Sequence, residues 1–508
     1  MAPNTSPACA PCDPDAQAAP SARAGVLVVA VMWAVLFAVR VSAPADLAEI
    51  GFERTIAYVQ DIVQNGNWIC QHDSEGNITS KPPLHAWLLA IPTLPFGYVN
   101  HFTICLLAGL STLLVAVMIL LVGRTYFGPR AGLLGAAAYL LSPVGVDQMV
   151  FIRTDALFVL TVTATALAAF RAWKLGRGWT WFWLAAAATT LTKGPLGVLF
   201  AGIGLLAAVW EMRGGKPAPV RGRQGVGIAL FLLVTLGWFG LAYLREGWPL
   251  VNKMIGRELL GEGVAGVGHI VPGQRFHLPF LYFLSRFAPW SLLTCVGFWR
   301  ILRHPSSDDW QRRFERFLFC WFFVPLILFS LAIHQAPRHV FPILPAAALL
   351  AGREMARLLA AARPKTLVAA CAAGTVIALT LVVFVDYIEM SRNWHVTQSQ
   401  SIKELADSLR EKVGDGFPFI YADTCLALQY QLKTYRRATP IAQAVKLLQG
   451  DAPVFVVVCR LGTLETQLPP NGQKLYHVVD WPASGQLCFH IVGNRPFLAR
   501  TVPLPDRR

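Results

Sequence analysis

Four short stretches of this chain put charge where an apolar run begins or ends. Asp155 opens the run in FIRTDALFVLTV, and Lys193 closes one in LTKGP. Arg338 and His339 stand in APRHVFPILP, and Lys81 precedes two prolines in KPPLHAW. Charge at membrane depth is costly and marks a functional candidate. Taken singly, each also reads as a helix-end charge, with Asp155 as an N-terminal cap or dipole partner. Taken together they are one acid and several bases at Pro/Gly-marked corners of one membrane face. A carboxylate can take the proton of an acceptor hydroxyl. Lys and Arg can hold a phosphate leaving group, Arg in bidentate fashion and Lys as a point charge. Moving a sugar off a lipid phosphate needs both, and it needs no nucleotide-binding loop because the donor diffuses in the bilayer.

The elements that must position these residues are membrane spans. Of 508 residues, 55% are hydrophobic and only 14% charged, with a mean hydropathy of +0.48; a soluble domain carries about 25% charged residues. Runs of about 20 apolar residues can cross a bilayer. The expected spans are 24–43, 101–122, 131–142, 156–173, 179–191, 195–210, 226–243, 278–299, 314–333, 340–351 and 366–386. That makes about eleven, or up to thirteen if short runs such as 83–95 also cross. The net charge of +15 does not point to nucleic acid, because its Lys and Arg cluster in alternate short loops: Arg124 and Arg130; Arg171, Lys174 and Arg177; Arg213 to Arg223; Arg300 to Arg316; Arg353 to Lys365. Those loops read as cytoplasmic by the positive-inside rule. The loops 44–81 and 245–277, the corners holding Asp155, Lys193 and Arg338, and the tail after Asp386 then face outward.

The Pro/Ala-rich head, residues 1–23, is expected to be disordered in the cytoplasm and is not read as a signal peptide. The membrane domain spans 24–390. In the first outer loop, FERTIAYVQDIVQNGNW has Ile56, Val59, Ile62 and Val63 at helical spacing, which predicts an amphipathic helix on the outer membrane surface. The tail 391–508 alternates apolar strands (FPFIYAD, APVFVVVCR) with short helices (CLALQYQLK, IAQAVKLLQG) and ends in a hairpin, which predicts a small α/β domain outside the membrane. It has no phosphate-binding glycine motif. Cys9 and Cys12 form a lone CxxC with no second pair, so zinc is not expected there. One pair among Cys425, Cys459 and Cys488 could oxidise.

At this point the chain resembles the GT-C membrane glycosyltransferases of the protein O-mannosyltransferase superfamily, on the side of the lipid A aminoarabinose transferase branch. The residues that carry the resemblance are RTIAYVQDIVQNGNWICQHD, KPPLHAWLLA, RTDALFVL, LTKGPLGVLF, FHLPFLYFLSRFAPWSLL and HQAPRHVFPILPAAALLAG, in family order over roughly 25–390. KPPL-x-x-W and LTKG are the more specific. The resemblance implies a mainly α polytopic bundle with a small C-terminal α/β domain. It also implies a polyprenyl-phosphate sugar donor, a lipid or glycan acceptor and inverting transfer on the periplasmic side of a bacterial inner membrane. By the same resemblance, Lys81 would contact donor phosphate or acceptor, Asp155 would help build the site, Lys193 matches the lysine of the TKG corner, and Arg338, beside His339, is a candidate for the donor phosphate. Arg257 and Glu258 match a charged pair of the long outer loop.

The family's Asp-Glu pair, just before the arginine that falls on Arg54, would fall on Gly51 and Phe52, which are not acids. The nearest carboxylates are Glu53, Glu49 and Asp46, with Glu53 the first choice for the base and Glu49 the second. No metal ligand set is assigned, although a divalent metal could assist. The alternatives are a protein O-mannosyltransferase and, in another class, a transporter or flippase of lipid-linked sugars. A transporter should carry internal repeats and charge near the midplane; here the charges collect at one face.

Overall fold

The structure is a computed structural model. It describes residues 21–42, 50–215, 218–256, 275–332 and 335–361, and in the C-terminal part 380, 402–407, 409–410, 419–422, 426–452, 454–458, 464, 466–467, 476–480, 490–494 and 502–503. Its long helices are α1 (Ala22–Ser42), α4 (His101–Phe127), α7 (Asp155–Leu175), α11 (Gly225–Glu246) and α15 (Asp309–Leu331). Among the described residues these five are long and apolar enough to cross a bilayer. Shorter helices fill the bundle: α2 (Ile50–Asn65), α3 (Leu84–Thr93), α5 (Pro129–Leu140), α6 (Pro143–Gln148), α8 (Trp179–Lys193), α9 (Leu196–Gly202), α10 (Leu206–Arg213), α12 (Trp248–Val251), α13 (Leu278–Arg286), α14 (Trp290–Arg303) and α16 (Leu344–Ala361).

Two expected spans are divided. The run 278–299 breaks into α13 and α14 just before Trp290, because Pro289 has no N–H to continue the ladder. The run 195–210 becomes α9 and α10 with one 3-10 turn between them. The expected span 366–386 and the CxxC lie outside the described residues, as do Cys425, Cys459 and Cys488.

Lipid offers no hydrophobic drive between helices, so close packing and polar contacts must hold the bundle. Glycines join α4, α5 and α16. A Cβ on Gly132 would stand 2.3 Å from Leu120 O, and one on Gly352 would stand 2.3 Å from Ala131 O. At the same end Tyr126 of α4 stacks on Phe314 of α15 at 4.3 Å, and Phe170 of α7 meets Phe314 at 4.9 Å. Such pairs contribute about 0.5–1.5 kcal/mol each beyond their buried area. The buried Arg353 of α16 donates to Glu315 of α15 at 2.8 Å and to the Gly297 carbonyl of α14 at 3.0 Å.

The expected surface helix forms as α2, but it is covered rather than floating. Ile56, Val59 and Ile62 are buried, as are Gln60 and Asp61. The helix packs against α3 and against α17 (Leu426–Gln431) of the C-terminal part. The tail also holds α18 (Ile441–Leu448) and a sheet of β1 (Ile420–Tyr421), β2 (Phe455–Val458), β3 (Tyr476–Asp480), β4 (His490–Gly493) and β5 (Val502–Pro503), ordered β1-β2-β4-β3-β5. β1 and β2 run parallel, and β3 and β4 form the expected antiparallel hairpin. Along β2, Phe455 and Val457 pack with α17 and residues 402–409, while Val456 and Val458 pack with α18. Both faces of that strand are therefore covered, which explains its uninterrupted apolar run.

Candidate active site

α7 and α8 are antiparallel neighbours. Thr165 and Thr189, both fully buried, share a hydrogen bond across them at 3.0 Å and fix their register. That register brings the first residue of α7 beside the last residue of α8. Asp155 sits in the first turn of α7, where a negative charge suits the helix dipole. Lys193 ends α8, and Gly194, at φ +93°, turns the chain away. Gly197 then passes so close to Thr189 that an added Cβ would stand 2.2 Å from its methyl group.

The Lys193 ammonium donates to the Asp155 carboxylate, which is only 4% exposed. Arg338 and Arg153 act electrostatically on the same carboxylate, and Lys81 and Arg338 act on Lys193. One acid thus stands among four cations at one end of the bundle. Such a cluster suits a multiply charged anion, above all a phosphate. Lys81 is half-buried. Its N–H donates to Thr79 Oγ1 at 3.4 Å, and the Thr79 hydroxyl donates to its carbonyl at 3.1 Å. Pro82 and Pro83 behind it are buried and lead directly into α3.

Two residues of this corner were not picked out from the sequence. His85, in the first turn of α3, is buried, hydrogen-bonds the backbone of Arg153 and feels the Asp155 charge. Arg153 lies over Phe151 at 5.3 Å. The signal for His85 was a histidine one turn into an otherwise apolar helix, directly after the KPP corner.

The other expected residues are placed as follows. Arg338 is exposed on the 3-10 segment 337–343. His339 turns its ring onto Phe329 at 5.2 Å, and its Nδ1 faces the Ala336 N–H at 3.4 Å, so it forms part of the corner's wall. Arg54 is exposed on α2. Glu53 is on the first turns of α2 by its backbone, but its side chain lies outside the described residues, as do Glu49, Arg257 and Glu258. Among the described residues no three His, Cys, Asp or Glu side chains are grouped to hold a metal ion.

A second polar node joins the first outer loop to two other parts of the chain. The fully buried Asp61 of α2 accepts from Asn65 at 2.8 Å, Asn67 at 2.9 Å and the His72 N–H at 2.8 Å. His72 Nε2 lies 3.2 Å from Glu246 at the end of α11, and the His72 carbonyl accepts from Tyr435 of the C-terminal part at 2.8 Å. The Asp61 carboxylate beside the ring pushes the His72 pKa up; burial opposes this, and Glu246 reinforces it. Burial alone would raise the Asp61 pKa, but the hydrogen bonds from His72, Asn65 and Asn67 outweigh it and hold it below the usual carboxylate value.

Comparison with known proteins agrees with this architecture. Residues 80–238 match the family described as dolichyl-phosphate-mannose-protein mannosyltransferase. In structure, the chain is similar to ArnT from Cupriavidus metallidurans bound to undecaprenyl phosphate, with a TM-score of 0.68 at 18% identity, covering 94% of this chain and 98% of that one. It is also similar to the Archaeoglobus fulgidus oligosaccharyltransferase, with a TM-score of 0.50 at 11% identity, covering 89% and 73%. The fold is the one that these solved structures share. In sequence the chain is similar to two arabinosyl transferases. An undecaprenyl phosphate-α-4-amino-4-deoxy-L-arabinose arabinosyl transferase of Pseudomonas fluorescens Pf0-1 is 28% identical over 317 residues, 59% of this chain and 52% of its own. Another, from Proteus mirabilis, is 27% identical over 313 residues, 57% and 52%. The matched stretch is about half the length of these relatives.

Proposed function

We propose that this chain transfers a sugar from a polyprenyl-phosphate donor to lipid A or another envelope glycan or lipid, at the periplasmic face of a bacterial inner membrane. The observation that carries the reading is the Asp155–Lys193 pair with Lys81, Arg153 and Arg338 around it. The acceptor hydroxyl attacks the anomeric carbon, the bond from that carbon to the phosphate oxygen breaks, and the polyprenyl phosphate leaves with the electron pair. The cations stabilise the charge that develops on the leaving phosphate. Asp155 is already engaged by Lys193, so it is better suited to arranging the cations than to taking a proton. The base falls to a carboxylate of the first outer loop, Glu53 first and Glu49 second, which receives the acceptor's proton.

The same side of the membrane would hold loops 44–81 and 245–277 and the α/β domain 391–508, with residues 1–23 in the cytoplasm. In support, Tyr435 and Ala438 of the tail hydrogen-bond the first loop at His72 and Ser74. The family match favours a second reading, protein O-mannosyl transfer. Lipid and glycan mass spectrometry of envelopes from cells with and without the gene decides between them. A glycosyl mass lost from an envelope lipid or glycan supports the first reading, a hexose lost from a protein supports the second, and an unchanged envelope refutes both. A transporter reading predicts instead that purified protein moves a lipid-linked sugar across vesicles without forming a glycosidic bond.

A further inference from the structure

The end of the bundle opposite the candidate active site carries its own concentration of charge. Glu211 of α10, fully buried, receives Arg316 Nη1 at 2.6 Å, Arg312 Nη2 at 3.2 Å and Arg313 Nε at 3.5 Å, all from α15. Arg312 also pairs with Asp309 at 2.6 Å. Arg313 Nε is buried and makes no hydrogen bond. Two residues beyond Glu211 on the same helix, Arg213 adds a fourth guanidinium. Four cations therefore face two carboxylates, an excess of two positive charges.

A groove runs up to this excess, lined by Leu206, Val209, Trp210, Arg213 and Gly214. Leu206 and Val209 are exposed on α10, an apolar surface on which a lipid chain can lie. Trp210, a lining residue, lies under the Arg316 guanidinium at 4.9 Å and meets Phe319 edge-on at 5.3 Å, which places Arg316 beside the groove. A Cβ on Gly214 would stand 3.8 Å from Arg316 Nη1, an ordinary contact that places this guanidinium close to the groove's head. The groove is thus apolar along its length and cationic at its head.

We propose that this groove binds one anionic phospholipid, with an acyl chain along Leu206 and Val209 and the headgroup phosphate between Arg213 and Arg316. The two uncompensated positive charges favour a headgroup without an ammonium, such as phosphatidylglycerol, over a zwitterionic one; each basic side chain near a membrane surface is worth roughly fivefold in such binding. The site is independent of the glycosyl-transfer reading, because none of its residues lies at the Lys81 end of the bundle.

The test uses the full chain in nanodiscs of phosphatidylcholine with phosphatidylglycerol, read by native mass spectrometry of the lipid retained after release. Wild type should retain phosphatidylglycerol about fivefold or more over phosphatidylcholine. Arg213→Gln and Gly214→Asp each change an exposed position and remove one unit of the excess charge, so each should lower that ratio about fivefold. If one variant fails to fold, the other still decides. No enrichment in wild type, or equal enrichment in wild type and both variants, overturns the proposal. Competition by millimolar inorganic phosphate that equals competition by phosphatidylglycerol also overturns it, because the apolar wall would then contribute nothing.

Discussion

Replacing Lys193 by Met would leave the Asp155 carboxylate buried without its hydrogen-bonded partner. Unit charges at contact separation interact by about 5 kcal/mol at an effective dielectric near 20. Desolvation offsets much of that in the intact pair, but the variant keeps the desolvation cost and loses the attraction. Removing one member of a buried pair costs about 3–5 kcal/mol. Two features here pull the figure toward the lower bound. Lys193 retains 23% of its side-chain exposure, and Arg153 and Arg338 still act on Asp155. We expect about 3 kcal/mol for Lys193→Met. Asp155→Asn should cost a similar amount, because Lys193 then faces Lys81 and Arg338 with no anion. The double variant Asp155→Asn/Lys193→Met removes both charges and should recover at least about 2 kcal/mol of the summed loss as coupling. Unfolding of the purified protein in mixed micelles measures the cycle, and glycosyl transfer is assayed on the same samples. The double variant should lose less stability than the two singles summed, while activity stays lost, since the phosphate-holding lysine is still missing. Single losses below about 1 kcal/mol, or strict additivity, would refute the pairing argument.

Lys81→Ala should reduce transfer by about a hundredfold or more, as expected for a half-buried residue that meets the leaving phosphate in the reaction; full activity would remove Lys81 from the site. Glu53→Gln and Glu49→Gln, assayed side by side, should identify the base by a loss of about 10²–10⁴-fold in one and much less in the other; equal, small losses in both would place the base elsewhere. The raised pKa of His72 makes its bridge between Asp61 and Glu246 complete below the ordinary histidine value and progressively lost as pH rises through the higher folded value. Hydrogen exchange in residues 426–448 should therefore accelerate beyond the intrinsic rate as pH rises above the ordinary histidine value, and His72→Asn should remove that added dependence; a wild-type profile identical to the variant's would count against the bridge.

The corners of the candidate site were legible because Pro, Gly and charge interrupt long apolar runs at KPP, RTD, TKG and APRH. The α/β tail was legible from short apolar strands such as that at Phe455. What stayed hidden depends on contacts far apart in sequence. Nothing local says that the ring of His85 reaches the backbone of Arg153, or that Tyr435 finds the carbonyl of His72. The periodicity of α2 gave an apolar face correctly but could not show that its polar residues Gln60 and Asp61 are buried too, because the covering α17 lies more than 350 residues away. The division of 278–299 was carried by Pro289, a signal masked by the apolar run on both sides of it.

The glycine contacts among α4, α5 and α16 have a mechanical consequence. Where backbones touch, no rotamer can change to absorb a displacement, and a shift of half an ångström would drive Cα against carbonyl oxygen. The close contacts through Gly123, Gly132 and Gly352 sit beside the Arg353 ion pairs, at the end remote from Lys193. That end behaves as a fixed root. A bulky acceptor would find its room at the opposite end, among the outer loops around the candidate site, and not between these three helices.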